Sequence, residues 1–293
     1  MAALEQFAAF LAQLRSEDIA SPVQDALKLH VVDSIGAWIA ASGTAEGRAL
    51  IAWRDGVDGT DVRDDVALNC ALARLSETDD IHLAAMITPG AIVIPGALTI
   101  ARSLPDADPV GLVAAIVAGY EAMVRLGLAI NGPAVLYRGI WPSYFAAPFG
   151  IAAVAARLMR LGELETAHAL ALALTLAAPG VGHHNAPTTS RWLAIGNAAR
   201  NGLTAALAAR SGLTSDLKLL ESGFFANVYG ITPNLSALTD GLGREPMLTQ
   251  VSFKPWCAAR QTMAAAQGLR DIIGEGVAAD GITEIRAAVL PRM

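Results

Sequence analysis

The chain has 293 residues, of which 54% are hydrophobic and 16% are charged, and its formal net charge is −6. This composition excludes disordered, collagen-like and coiled-coil chains, and it fits one large domain or one domain plus a fragment. The acidic balance excludes a basic nucleic-acid-binding surface, so an anionic ligand must be bound by local cations. Only three residues are lysines, so a catalytic ammonium group has few candidates.

Two long apolar stretches raise the question of membrane insertion. Residues 110–130 contain Glu121 and Arg125, and residues 164–182 include a proline near their end. A membrane-spanning helix needs about 20 apolar residues with few or no charges, so both stretches predict buried helices and no membrane partner. The N-terminus has no basic segment followed by a cleavage site, and the two cysteines form no spacing motif, which predicts a cytoplasmic location.

Helix signals dominate from Ser21 onward. The pattern Ser21-Pro22-Val23-Gln24 predicts a capped helix that buries one apolar face. That predicted face consists of Leu27, Val31, Ile35, Trp38 and Ile39. The further predicted helices are a short one within 46–61, then 65–75, 88–104, 108–130, 147–161, 163–177, 193–212, 216–221 and 258–273. Residues 282–290 alternate loosely and predict one strand, which is unstable without a sheet partner.

These elements predict a mainly α protein. Residues 1–250 are expected to form a large all-α domain, and residues 251–293 the beginning of a smaller α/β domain.

Two polar clusters occur in the first half of the chain. Residues 77–82 place three carboxylates beside His82, which could supply an acid, a base or metal ligands, or could form a solvated turn that caps the next helix. Residues 138–145 include Trp141 and Tyr144, which could line a pocket or fill space under a helix start. Both alternatives stay open for each cluster.

Two more clusters occur in the second half. Residues 180–191 contain His183, which could face a pocket, and Arg191, which could clamp a carboxylate at a helix N-terminus or lie on the surface. Residues 253–262 contain Lys254 and Arg260. A cation in the first helical turn opposes the helix dipole unless an anion binds nearby, which favours a binding role for Arg260.

Several common sites are missing from the sequence. There is no Gly-rich dinucleotide fingerprint, no phosphate-binding loop, no His-Glu-x-x-His and no Gly-x-Ser-x-Gly elbow. The sequence therefore disfavours nicotinamide, nucleotide, zinc-protease and serine-hydrolase chemistry.

An ordered set of short motifs resembles the MmgE/PrpD family, which includes 2-methylcitrate dehydratase, cis-aconitate decarboxylase and iminodisuccinate epimerase. The motifs span most of the chain and include Val32-Asp33-Ser34-Ile35-Gly36, Glu77-Thr78-Asp79-Asp80-Ile81-His82, Thr88-Pro89-Gly90-Ala91, Ile195-Gly196-Asn197 and Phe253-Lys254-Pro255. The resemblance implies an all-α domain with an α/β lid and a homodimer. It also implies cofactor-free chemistry, with no metal, on small di- or tricarboxylates.

The family's shared chemistry is removal of a proton α to a carboxylate. On this resemblance, the candidates for proton transfer are Tyr144, Lys254 and His82, with Asp79 orienting His82 or a water. The expected substrate-binding residues are Arg191, Arg260, Trp141, Thr88 and His183.

The sequence also departs from the family pattern. The family's histidine before Pro-Gly is Thr88 here, and Trp141 stands where dehydratase and decarboxylase members have a second histidine. Trp141-Pro142-Ser143-Tyr144 and Arg260 resemble the epimerase-like branch, and epimerisation and β-elimination both stay open. Family chains continue past this C-terminus, so a separate lid chain is a possible partner. The rival hypotheses are a non-catalytic scaffold that binds a partner or a carboxylate, and a metal-dependent lyase using Asp79, Asp80 and His82.

Overall fold

The computed structural model describes residues 1–106, 108–178, 180 and 188–288. Within these ranges the chain is mainly α-helical, as predicted, and its β-structure consists of two isolated bridges. The α-helices run in the order α1 Ala3–Gln13, α2 Ser21–Ser42, α3 Ala45–Asp55, α4 Val62–Leu75, α5 Gly90–Ser103, α6 Pro109–Ala129, α7 Gly132–Leu136, α8 Pro142–Leu158, α9 Glu163–Thr175, α10 Ser190–Arg210, α11 Phe224–Tyr229, α12 Leu235–Thr239 and α13 Met263–Gly274.

The core is built around α8, which packs against α5, α6, α9 and α10. Small residues set the spacing between these helices. A Cβ added at Gly150 would lie 2.3 Å from Cγ of Met123, and one added at Gly119 would lie 2.6 Å from Cγ1 of Val93. The alanine-rich and glycine-containing sequence therefore allows helices to approach closely in a core that is packed like an organic crystal.

Among the described residues, α6 is the one helix that is long and apolar enough to cross a membrane. In its most apolar segment of 18 residues, 83% is buried inside the fold. Asp108 caps it, accepting a hydrogen bond from the backbone N–H of Val110 at 2.9 Å. Inside the helix, Nε of Arg125 donates to Glu121 at 2.6 Å, so the two charges in the apolar stretch compensate each other. This helix occupies the buried position predicted for it.

The predicted buried face of α2 is wrong in part. Leu27 is buried, but Ile35 and Ile39 are exposed, and the interior positions belong instead to His30, Ser34 and Ala37. The spacing of hydrophobic residues predicted the wrong buried face for part of α2, because His30 is buried against a polar partner, Asp80. Ser21 also does not cap the helix through its side chain, since the helix already begins at that residue.

Other element predictions also need correction. Helix α1 was not predicted, although Leu4, Phe7, Ala8 and Leu11 follow helical spacing and are buried. Residues 216–221 form turns, and the short helix lies at Phe224–Tyr229 instead. No strand occurs in the described part of the tail, residues 282–288, which is consistent with a strand lacking a sheet partner.

The C-terminal region packs differently from the rest. Helix α13 contacts mainly the 3-10 turn that precedes it, and most residues after Met263 are exposed. Ile272, Ile273 and Val277 are among these exposed apolar side chains. The division into an all-α domain at 1–250 and a second domain at 251–293 stays a prediction.

Candidate active site

Several helix ends converge on one cavity of about 510 Å³. Its wall includes the last turn of α4, the loop that follows α4, the first turns of α8 and α10, and the segment that leads to α13. Functional side chains commonly lie on such connecting segments because a rigid scaffold holds them in place. The polar residues of the wall include Arg74, Glu77, Thr88, Ser143, Arg191, Lys254 and Arg260.

Backbone contacts attach the C-terminal segment to the loop after α4. Ile81 and Ser252 form an antiparallel bridge, with N–H···O distances of 2.8 and 2.9 Å. The thiol of Cys257 donates to the carbonyl oxygen of Ser76 at 2.8 Å. These contacts flank Lys254 in the chain and hold it against the acidic loop.

The centre of the site is a buried ion-pair cluster. Nζ of Lys254 donates to Asp79 at 2.8 Å, and Nε of Arg74 lies 3.3 Å from the same carboxylate. Nη1 of Arg74 also lies 3.1 Å from Glu77, whose other oxygen is 3.6 Å from Nη2 of Arg191. Arg260 also lines the cavity, so the four cations Arg74, Arg191, Lys254 and Arg260 and the carboxylates of Glu77 and Asp79 leave an excess of two positive charges among these six described side chains. Such a site suits a dianionic ligand.

Burial and charge act in opposite directions on the acids of the cluster. Burial raises the pKa of Asp79, although Arg74 and Lys254 oppose that shift. Burial also acts to raise the pKa of Glu77, but the charge and hydrogen bond of Arg74 outweigh it and lower this pKa. Glu77 is therefore a firm anion, whereas Asp79 accepts a proton more readily than an ordinary aspartate.

Nε of Arg74 and Oδ2 of Asp79 make no hydrogen bond but form an ion pair at 3.3 Å, and two further groups near the cavity are buried without a hydrogen-bond partner among the described residues. One is the hydroxyl of Tyr144 and the other is Nε of Arg260. An unpaired buried polar group costs free energy, so each is a candidate to bind a ligand. Burial raises the pKa of Tyr144 to about 12, which keeps the phenol protonated and makes it a hydrogen-bond donor at neutral pH.

Two non-glycine residues of the cavity wall have left-handed backbone conformations, Glu77 with φ of 56° and Met86 with φ of 53°. This conformation is uncommon for residues with a Cβ, and such strain concentrates at functional sites. Its occurrence twice on one cavity wall supports the assignment of this cavity as the site.

Most of the predicted site residues come together here. Thr88, Trp141, Arg191, Lys254 and Arg260 line the cavity. Asp79 pairs with Lys254, and the ring of Tyr144 packs edge-on against Trp141 with centroids 5.4 Å apart.

Of the two predicted histidines, His82 can be placed in the structure. His82 does not line the cavity: its Nδ1 accepts the N–H of Ala85 at 3.1 Å, and burial lowers its pKa, so it is a neutral residue of the turn. Asp79 pairs with cations and does not orient His82. His183 lies outside the described residues.

A second buried cluster adjoins the site. Oδ1 of Asp80 accepts the N–H of Gly90 at 2.8 Å, and Oδ2 accepts the hydroxyl of Tyr120 at 2.7 Å and lies 2.8 Å from Nδ1 of His30. Asp79, Asp80 and His82 thus have three different sets of partners. No group of three potential metal ligands occurs among the described residues, so the hypothesis of a metal held by these three side chains finds no support in their geometry.

Arg74 is the site residue that sequence reasoning missed. Its position in the sequence could have indicated its burial. Arg74 follows Val66, Cys70 and Ala71 at helical spacing, so it lies on the buried face of α4. A buried arginine requires compensating acids, and three acids follow within six residues.

Comparison with known proteins decides the family. The family model of the MmgE/PrpD N-terminal domain matches residues 5–234. The chain belongs to the MmgE/PrpD family. It is 29% identical over 203 residues to the cis-aconitate decarboxylase-like protein oryM of Aspergillus oryzae, which covers 64% of this chain and 42% of that protein. It is 30% identical over 184 residues to a cis-aconitate decarboxylase of Aspergillus terreus, which covers 61% of this chain and 36% of that protein. The chain thus spans about two fifths of the length of these relatives.

Proposed function

We propose that this MmgE/PrpD protein is a cofactor-independent lyase or isomerase that removes a proton α to a carboxylate of a small di- or tricarboxylate. The observation that carries the proposal is the cavity with four cations, two acids and two unpaired buried donors. Family membership and the cis-aconitate decarboxylase relatives support carboxylate chemistry of the lyase type.

The cations of the cavity have two roles in this proposal. Arg191 and Arg260 bind the substrate carboxylates, since a planar guanidinium matches a carboxylate in a two-point contact. Arg74 and the hydroxyl of Tyr144 stabilise the negative charge that develops when the α-proton leaves. Donors that are fixed before the reaction stabilise such charge strongly in a site that excludes water.

Lys254 is the proposed base. Its ammonium transfers a proton to Asp79, whose pKa is raised by burial, and the neutral amine then takes the α-proton of the substrate. Return of a proton to the opposite face gives epimerisation, whereas loss of a β-substituent gives a lyase product. We favour no outcome between these two.

Solvent exchange tests the proton-abstraction step without requiring knowledge of the product. Candidate dicarboxylates and tricarboxylates are incubated with the protein in D2O, and loss of the α-proton signal is followed by ¹H NMR. We expect Lys254→Met to reduce exchange by about 10²–10⁴-fold, the usual contribution of a general base. The matched control is Lys28→Met, because Lys28 is exposed and pairs only with Asp25.

Two further variants test the binding and donor roles. Arg260→Ala and Tyr144→Phe are each expected to lower turnover, and wild-type turnover in both would remove the assignment of these residues. The rival function, a scaffold that binds a carboxylate or a partner without catalysis, predicts dicarboxylate binding with no exchange in the wild-type protein.

The proposed assembly is a homodimer in the cytoplasm. The homodimer is a proposal from family resemblance, and size-exclusion chromatography with light scattering measures it.

A further inference from the structure

The side chain of Glu77 lies where a ligand carboxylate is expected. One of its oxygens is 3.1 Å from Nη1 of Arg74, and the other is 3.6 Å from Nη2 of Arg191. Two arginines around one carboxylate is the arrangement that would bind an acidic substrate. In the structure, the protein's own carboxylate fills it.

The two contacts of Glu77 differ in strength. Arg74 is buried and also lies 3.3 Å from Asp79, so it has a second anionic partner besides Glu77. Arg191 is partly exposed, and its contact with Glu77 is longer than a hydrogen bond. Its other described support is the ring of Trp192, 4.1 Å from the guanidinium carbon. Arg191 is therefore the arginine that can exchange Glu77 for a ligand at low cost.

Glu77 cannot easily leave the cavity to make room. Its carboxylate lies 3.1 Å from Nη1 of the buried Arg74, its backbone has the left-handed conformation, and its N–H contacts the carbonyl of Arg74. The negative charge of Glu77 thus stays beside Arg191 when a ligand enters, and repels the ligand's own negative charge.

We propose that Glu77 is a specificity-determining residue: a resident carboxylate that competes with the ligand for Arg191 and limits how many negative charges the cavity accepts. This proposal rests on the proposed function. Neutralising Glu77 raises the excess positive charge of the described site from two to three. We therefore expect the variant to prefer a ligand with one more negative charge than the wild-type protein prefers.

Binding of three inert probes with increasing charge tests the proposal. Butyrate, glutarate and propane-1,2,3-tricarboxylate carry one, two and three carboxylates, and isothermal titration calorimetry gives their Kd values with the full chain. We expect Glu77→Gln to tighten binding of the tricarboxylate by about two- to fivefold, the scale of a partly exposed ion pair, and to change butyrate binding less than twofold.

Two variants separate charge from shape. Glu77→Asp keeps the charge, so we expect the wild-type order of affinities. Glu46→Gln removes an acid from the adjoining groove, which Glu77 and Arg191 also line, and we expect it to leave all three Kd values unchanged. Thermal melting of each variant confirms that it is folded.

The possible results are distinct. Equal or weaker tricarboxylate binding by Glu77→Gln, with Arg191→Ala still abolishing binding, overturns the proposal and leaves the proposed function standing. Binding of the probes by Glu77→Gln but not by the wild-type protein supports it. If neither the wild-type protein nor Glu77→Gln binds the probes, this proposal and the carboxylate-binding part of the proposed function are both overturned. The proton-abstraction part is tested separately by α-proton exchange.

Discussion

Removing the charge of Asp79 is the most direct test of the site cluster. Asp79 is almost completely buried, and it lies 2.8 Å from the ammonium of Lys254 and 3.3 Å from the guanidinium of Arg74. At an effective dielectric constant of about 20, these distances correspond to gross attractions of about 6 and about 5 kcal/mol. Most of that energy offsets the cost of taking the three charges out of water.

Asp79→Asn leaves both cations and removes the anion they share. Breaking a buried ion pair by removing one partner costs about 3–5 kcal/mol, and we expect that loss in the free energy of unfolding, measured by urea denaturation at pH 7. Lys254→Met should cost less, because Arg74 still compensates Asp79. The double variant Asp79→Asn with Lys254→Met should be more stable than Asp79→Asn alone, since one unpaired charge is gone. A loss below about 1 kcal/mol in Asp79→Asn would refute the cluster as described.

Three further predictions concern stability and reactivity. Burial raises the pKa of Asp33 from 3.8 to about 6, so ionisation of Asp33 lowers the stability of the folded state as pH rises from about 4 to about 6. Asp33→Asn should therefore raise the free energy of unfolding at pH 8 by about 1 kcal/mol, after discounting for solvent screening, with a higher Tm, and should leave both unchanged at pH 4. Gly90→Ala places a Cβ 2.6 Å from Oδ2 of Asp80 and should cost about 1–3 kcal/mol in urea unfolding, whereas Gly36→Ala, with nothing within 4 Å, should stabilise by about 0.5–1 kcal/mol. A thiol reagent should modify the exposed Cys257 in the native protein and the buried Cys70 only after unfolding, as intact mass will show.

Local signals predicted the helices well where one strong feature determined the outcome. Asp108 and the proline after it gave the start of α6, because a side-chain cap and a fixed φ act within one turn. The start of α8 was placed too late, so Tyr144 was assigned to a loop although it lies in the first turn of that helix. Pro142 marks the first helical position, but the flanking aromatic residues were interpreted only as a pocket wall or as packing under a helix start at residue 147.

The errors arose where tertiary contacts between polar groups determine the packing. His30 faces inward because Asp80 and Tyr120 lie there, and nothing within α2 reveals partners that are 50 and 90 residues away in the sequence. The same holds for Arg74, whose compensating acids were visible but whose burial depended on the helix face. The set of residues at the site was predicted from family resemblance more than from local pattern.

Stability alone does not explain the charged cluster, and this bears on whether the cavity binds a ligand. Replacing a buried ion-pair group by apolar residues of similar volume is often neutral or stabilising, so Arg74, Asp79 and Lys254 are an inefficient way to hold this core together. The rest of the core is built mainly from alanine, aliphatic and aromatic side chains, and its other buried charges, such as Glu121 and Arg125, are paired with each other. One cavity nevertheless holds two buried cations, a carboxylate that they share and an unpaired tyrosine hydroxyl. A ligand that completes their interactions explains this arrangement, and a ligand with its own negative charge completes them best.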